Sequence, residues 1–349
     1  MDGTAAARLL DWEAAARIGG RLAGPGPRVE SASRALIRED FAELVPEAER
    51  LVTGFTGLAL DQPTRPWVMS RAEWVRRNLR GFERVLEPFA DRLTPANAGL
   101  ASIRRKVLGA QVGGFLGYLG RKVLGQYDLF VEPEDRDLLY FVGPNVLELE
   151  ARYRFSPRDF RLWLCLHEVA HRVQFGGVPW LRGQLHGLVD SYLESIDLDS
   201  RKLLQAVRRA ADEARRDREG SWRGLGFLFL LMTPEQRDLF RRMQALMALL
   251  EGHGNYVMDS LSPGNVRGGE RMRRTLHMRR HGRPVDRMVQ KALGLDAKIR
   301  QYDIGERFVA AAVERAGMDG FNRVWTSPET LPTLEEIAEP DAWVERVAG

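Results

Sequence analysis

His167-Glu168-Val169-Ala170-His171 puts two imidazoles four residues apart, with a carboxylate directly after the first. Residues four apart on an α-helix share a face, with Cβ atoms roughly 5–6 Å apart. Two such imidazoles can converge on one Zn²⁺ at about 2.0–2.1 Å each. Glu168 then projects beside the metal, where it can take a proton from a water that zinc has acidified to a pKa of about 7. This chemistry requires a helix, and residues 156–177 carry its signals. Ser156 suits the cap, Pro157 the first position and Asp159 the first turn. Phe160, Trp163, Leu164, His167, His171 and Phe175 follow at three- and four-residue steps, and Gly176-Gly177 close the helix. The plain alternative is a pair of core histidines bonded to nearby carbonyls. The apolar flank Leu162-Trp163-Leu164-Cys165-Leu166 makes this a buried helix, where imidazoles need partners. A zinc ion is the partner that also explains Glu168.

A third ligand is expected on a second helix, 234–261. Thr233-Pro234-Glu235-Gln236 reads as a capping box with proline at the first helical position. Phe240, Met243, Met247, Leu250, Glu251, Gly254 and Met258 then recur at helical spacing, so Glu251 falls within an apolar stripe. A carboxylate there is costly unless it is paired or holds a metal. Gly252 and Gly254 weaken a helix by roughly 1 kcal/mol each, which suggests that another backbone approaches closely. Glu251 is therefore nominated as the third ligand, with His253 as the alternative. Two positions this close point to different faces. Asn255 and Asp259 are expected around the ligands, orienting a histidine. Tyr302 is a candidate oxyanion donor, with an ordinary core tyrosine as its rival, and His186 is a candidate lining residue.

Composition bounds what else the chain can be. Its 349 residues carry 52 basic and 48 acidic side chains, a formal net charge of +4. That near balance describes an ordinary globular protein. The one cysteine, Cys165, excludes an internal disulfide framework and reads as a small buried residue. The N-terminal residues mix acids, arginines and alanines, unlike a secretory leader. The longest apolar run, 107–120, is short of the about 20 residues a membrane span needs. The expected location is cytoplasmic, with no membrane partner.

The expected fold is mainly α (α+β): a metal-binding core whose small sheet lies next to the HExxH helix, surrounded by other helices. An N-terminal helical region is expected over 1–120 and the metal-binding region over 121–349, or both as one compact unit. Helices are expected over 7–23, 30–53, from Trp67 past Leu86 and from Ala96, the last packing closely through Gly109, Gly113, Gly114 and Gly117. Residues 54–66 read as a loop. Strands are expected at 127–131, 138–142 and 146–152 from short apolar or alternating runs. An edge strand there could hold an extended peptide by main-chain pairing. Residues 201–219 read as a solvated charged face, and a helix from Asp296 ends at Gly317. The arginine-rich segment 267–287 is a candidate cleft loop or nucleic-acid patch.

With these residues in view, the chain resembles the actinobacterial zincin-like family DUF2342, whose members carry the label "coenzyme F420 biosynthesis-associated". The likeness is sharpest at DFRLWLCLHEVAHRVQFGGVPWLR, 159–182, and LLEGHGNYVMD, 249–259. It extends to LGQYDLF at 124–130 and GPNVLELE at 143–150. The family is similar to gluzincin metallopeptidases. The resemblance implies a largely helical zincin with a small sheet, in which His167, His171 and Glu251 bind one zinc and Glu168 is the base. The expected function is zinc-dependent hydrolysis of a peptide or protein substrate. A zinc-bound scaffold without turnover is the alternative, and a nucleic-acid binder using 267–287 ranks last.

Overall fold

The computed structural model describes residues 9–27, 31–90, 101–196, 232–281 and 296–349. The charged stretch 201–219 and the end of the arginine-rich segment, 282–287, lie outside the described residues. Residues 1–54 and 59–176 form one compact unit, and residues 55–58 and 177–349 form a second.

In the first unit, α1 (Trp12–Ala23), α2 (Ser31–Thr56), α3 (Arg71–Leu86), α4 (Ala101–Gly120) and α5 (Gly143–Tyr153) accompany three strands, β1 (Arg65–Met69), β2 (Gly125–Tyr127) and β3 (Leu138–Val142). The long helix α6 (Pro157–Gly177) follows. β3 is central, parallel to β1 and antiparallel to β2. Its residues Leu139, Tyr140, Phe141 and Val142 are fully buried, as a central strand's are. A Cβ on Gly109, Gly113 or Gly117 of α4 would clash with the backbone of Asp11, Ala15 or Gly19. These three serve close packing against α1 and its cap as expected, whereas a Cβ on Gly114 would meet only the Leu22 side chain, at 3.9 Å.

α6 is buried around most of its circumference, which is how a helix reads when it runs inside a core. Its first turns are tied down by charge. Arg161 donates to both oxygens of Glu150 on α5 at 2.8 Å and also pairs with Asp40 on α2. β2 lies against the middle of α6. Tyr127 and Phe175 stack obliquely at 5.9 Å, so the sheet does lie beside the HExxH helix.

Five local expectations are corrected. The strand expected over 127–131 lies at Gly125–Tyr127 instead, and residues 128–131 bend away from the sheet direction. The described part of the arginine-rich segment is a helix, Gly269–His281, not a loop. Residues 146–152 are helix α5, not a strand. Pro144 sits in its first turn and Val146, Leu149 and Glu150 are buried at helical steps. Residues 65–69, split between an expected loop and helix, form β1. The helix that follows is set by the capping box of Ser70 with Glu73. The helix bearing Glu251 does not stop at Ser262-Pro263-Gly264 but continues to Asn265. A proline that near the end removes only one donor.

The second unit contains α7 (Leu181–Glu194), α8 (Pro234–Asn265), α9 (Gly269–His281) and α10 (Asp296–Phe321), then short helical turns to the C-terminus. Thr233 and Gln236 form the expected capping box of α8. α8 crosses α10 at very close range. A Cβ on Gly252 would lie 2.2 Å from the Gly305 carbonyl carbon, and one on Gly305 would lie 2.0 Å from the Ala248 oxygen. α10 is kinked at Gly317, with φ of +69°, where the sequence signalled an end. Phe308, Phe321 and Trp343 pack together in the core of this unit.

Candidate metal centre

α6 delivers the two histidines as their spacing requires. The ring centroids of His167 and His171 are 4.7 Å apart and nearly perpendicular. Their Nε2 atoms face each other at 3.2 Å. The outer nitrogen of His171, Nδ1, lies 3.0 Å from the side-chain oxygen of Gln174, one turn further along the same helix. An imidazole donating through Nδ1 leaves its Nε2 lone pair bare. That lone pair is directed at His167.

This geometry can be tested against a metal. Two nitrogens bound at about 2.0–2.1 Å to one tetrahedral zinc stand about 3.3 Å apart. The observed 3.2 Å fits that value. Two imidazoles are also donors able to hold such an ion, and His167 and His171 offer them from one face of α6.

Glu168 is 8% exposed and projects from α6 toward the start of β2. Gly125 faces it with no side chain. A Cβ there would lie 2.6 Å from Glu168 Cγ and 2.7 Å from its Oε1. The strand thus admits the carboxylate only because residue 125 is glycine. Cys165, between the apolar leucines, is fully buried, and burial pushes its thiol well above the ordinary range. It stays a protonated packing residue, as expected from the sequence.

The other candidates lie in the second unit. Glu251 is half-buried on α8, directly before the Gly252 contact with α10. His253 is 0% exposed, stacked on Phe321 at 5.5 Å and edge-on to Trp325 at 5.4 Å. Asn255 is half-buried one turn beyond Glu251. Asp259 forms an ion pair with Arg273, Oδ2 to Nε at 2.8 Å, and the same guanidinium donates to Glu306 at 2.7 Å. Burial raises the Asp259 carboxyl to about 6 against the pull of Arg273. His186 is half-buried on α7. Tyr302 belongs to α10, but its side chain lies outside the described residues.

Gln174 and Gly125 were not singled out by sequence. Gln174 could have been, because a residue three after a ligand lies on the same helix face. Gly125 carries no such signal, since its role depends on strand placement.

Among the described residues, no helix is long and apolar enough to cross a membrane. No curated protein matches the chain. A solved structure from Chloroflexus aurantiacus, described provisionally as a hydrolase with a novel fold, is similar to it with 34% identity and a TM-score of 0.72. The likeness covers 97% of this chain and 98% of that one. A family profile described as zincin-like metallopeptidase matches residues 10–344, which implies a hydrolase with a bound metal. The chain belongs to the zincin-like metallopeptidase family.

Proposed function

We propose that the protein is a zinc-dependent hydrolase of peptide bonds, with His167, His171 and Glu251 holding one zinc and Glu168 as general base. The observation that carries this reading is the pair of Nε2 atoms facing each other at 3.2 Å beside a buried carboxylate. When bound, zinc supplies Lewis-acid polarisation of a carbonyl and a nucleophile at neutral pH. The rest falls to the chain. Glu168 takes a proton on one carboxylate oxygen and returns it to the leaving amine, reaching both because it projects beside the histidines rather than between them. Its burial keeps bulk water from competing for that proton.

Glu251 is favoured as third ligand by its neighbours. The Gly252–Gly305 contact pins its backbone, while the ring of His253 is engaged with Phe321 and Trp325. A peptide is favoured as substrate by β2. The Val142 amide donates to Leu124 O at 2.9 Å, so in the antiparallel ladder Gln126 also pairs inward, opposite Tyr140. The alternation turns the main-chain groups of Gly125 to the other edge, where an extended peptide can add, while Glu168 lies against the face that a side chain at 125 would cover. Nucleic acid is disfavoured as a partner. Arg273 and Arg274 already have carboxylate partners in Asp259, Glu306 and Glu270.

Metal analysis of the purified chain tests the centre. One zinc per chain, lost in His171→Ala and Glu251→Ala but kept in His253→Ala, is the expected result. Zinc lost only with His253→Ala would move the third ligand. A chain that takes up no zinc would overturn the reading.

A further inference from the structure

We propose that Gln174 is a positioning residue for the metal centre, fixing His171 in the tautomer that presents Nε2 to the ion. The proposal rests on the reading of His167 and His171 as ligands.

Gln174 is fully buried, and its Oε1 lies 3.0 Å from His171 Nδ1. An amide oxygen only accepts, so the ring must carry its proton on Nδ1. The other nitrogen, Nε2, then keeps its lone pair, and this is the atom 3.2 Å from His167 Nε2. An isolated neutral imidazole can place its proton on either nitrogen. Placed on Nε2, the proton would occupy the position the metal needs. Gln174 therefore removes a competing state before the metal arrives, and it also holds the ring's rotation.

The partner's neutrality is a second consequence. An outer carboxylate makes a ligating histidine more basic. The Gln174 amide orients the ring without adding negative charge, so less of the cation's charge is offset. The device is also local. Ligand and orienting group belong to one helix, three residues apart, so α6 prepares His171 wherever that helix is folded.

Four preparations of the full chain test this: wild type, the near-isosteric Gln174→Met, which has no strong acceptor, Gln174→Glu, which keeps one, and His171→Ala, which lacks the ring. In zinc-free wild type, histidine-selective ¹⁵N spectra are expected to show His171 with its proton on Nδ1. Gln174→Met is expected to lose that preference, and its zinc affinity, measured by chelator competition, is expected to fall 10–100-fold. Gln174→Glu is expected to restore both, a rescue that general disturbance of packing would not give. A wild-type His171 protonated on Nε2 in the zinc-free chain overturns the proposal without any variant. A folded Gln174→Met chain that binds zinc as wild type does overturns the Gln174 role alone. Wild type that binds zinc no better than His171→Ala overturns the ligand reading, and the proposal with it.

Discussion

Between His167 and Glu168 the helix turns by about 100°, and that rotation separates the two roles proposed for the site. The histidines face each other, while the carboxylate is sent toward β2 and Gly125. Glu168→Gln is nearly isosteric and removes the proposed base without touching a proposed ligand. It is expected to keep zinc and lose about 10²–10⁴-fold in kcat/KM on a cleaved peptide. Retained turnover would dismiss Glu168 as the base. Gly125→Ala approaches the same carboxylate from the strand side. The added methyl would meet Glu168 at 2.6–2.8 Å, closer than any Cβ contact tolerates, so the carboxylate or the strand must shift. Zinc content is expected to be unchanged and kcat to fall, because a misplacement of about 1 Å can cost about 10²-fold. A Gly125→Ala protein with wild-type kcat would mean that Glu168 has slack the structure does not suggest.

At the scale of elements, α6 and α8 were the most legible parts of the chain. Each announces its start, Pro157 after Ser156 and Thr233 with Gln236, and each keeps helical spacing for at least five turns. The misreadings were short segments, where periodicity has too few residues to speak. In GPNVLELEARY, valine and leucine alternate with acids like strand residues, yet the burial of Glu150 depends on Arg161, eleven residues away on α6. Arg65–Met69 contains a proline and reads as the end of a loop and the start of a helix, but β1 is an edge strand, where proline is tolerated. The Gly252–Gly305 crossing was half legible: the glycines of α8 announced a close approach, and the structure supplied the partner. Gly305→Ala would force α8 and α10 apart and is expected to cost about 1–3 kcal/mol or more, seen as a lower urea midpoint. An unchanged midpoint would mean the crossing adjusts freely.

Asp259 adds a pH dependence to the same helices. Its folded pKa, about 6, lies above the ordinary aspartate value of 3.8, because the carboxyl is buried. The folded state therefore binds the proton more tightly. The stability this contributes is complete below about pH 4 and is lost as pH rises through 6. A gap of about two pH units corresponds to about 3 kcal/mol, reduced by screening at the half-exposed Arg273. Asp259→Asn is expected to flatten the urea midpoint between pH 4 and 7. A slope identical to wild type would assign the titration elsewhere.

For the whole molecule, the decisive issue is whether zinc holds the chain together or only equips it. A structural zinc contributes folding energy outright, and chains that depend on one unfold without it. Here each unit has a core that owes nothing to a metal. The first buries Phe41, Phe141, Val142, Phe160 and Leu166, and the second buries Phe308, Phe321, Val324 and Trp343. The expectation is that chelation leaves the far-UV circular dichroism and a cooperative melt intact. Zinc should then raise the melting temperature only by mass action, about 2.7 kcal/mol at a hundredfold excess over its dissociation constant. With Glu251→Ala the zinc-dependent rise should vanish while the metal-free melt stays close to wild type, because the proposed role of this half-buried carboxylate is to hold the metal, not to fill the core. Collapse of the wild-type fold on chelation would instead support the scaffold reading, in which the metal is structural. The predicted pattern, a folded apoprotein that gains stability only through its ligands, is the one an open catalytic centre requires. A centre that must exchange water and substrate cannot also be the fastening on which the fold depends.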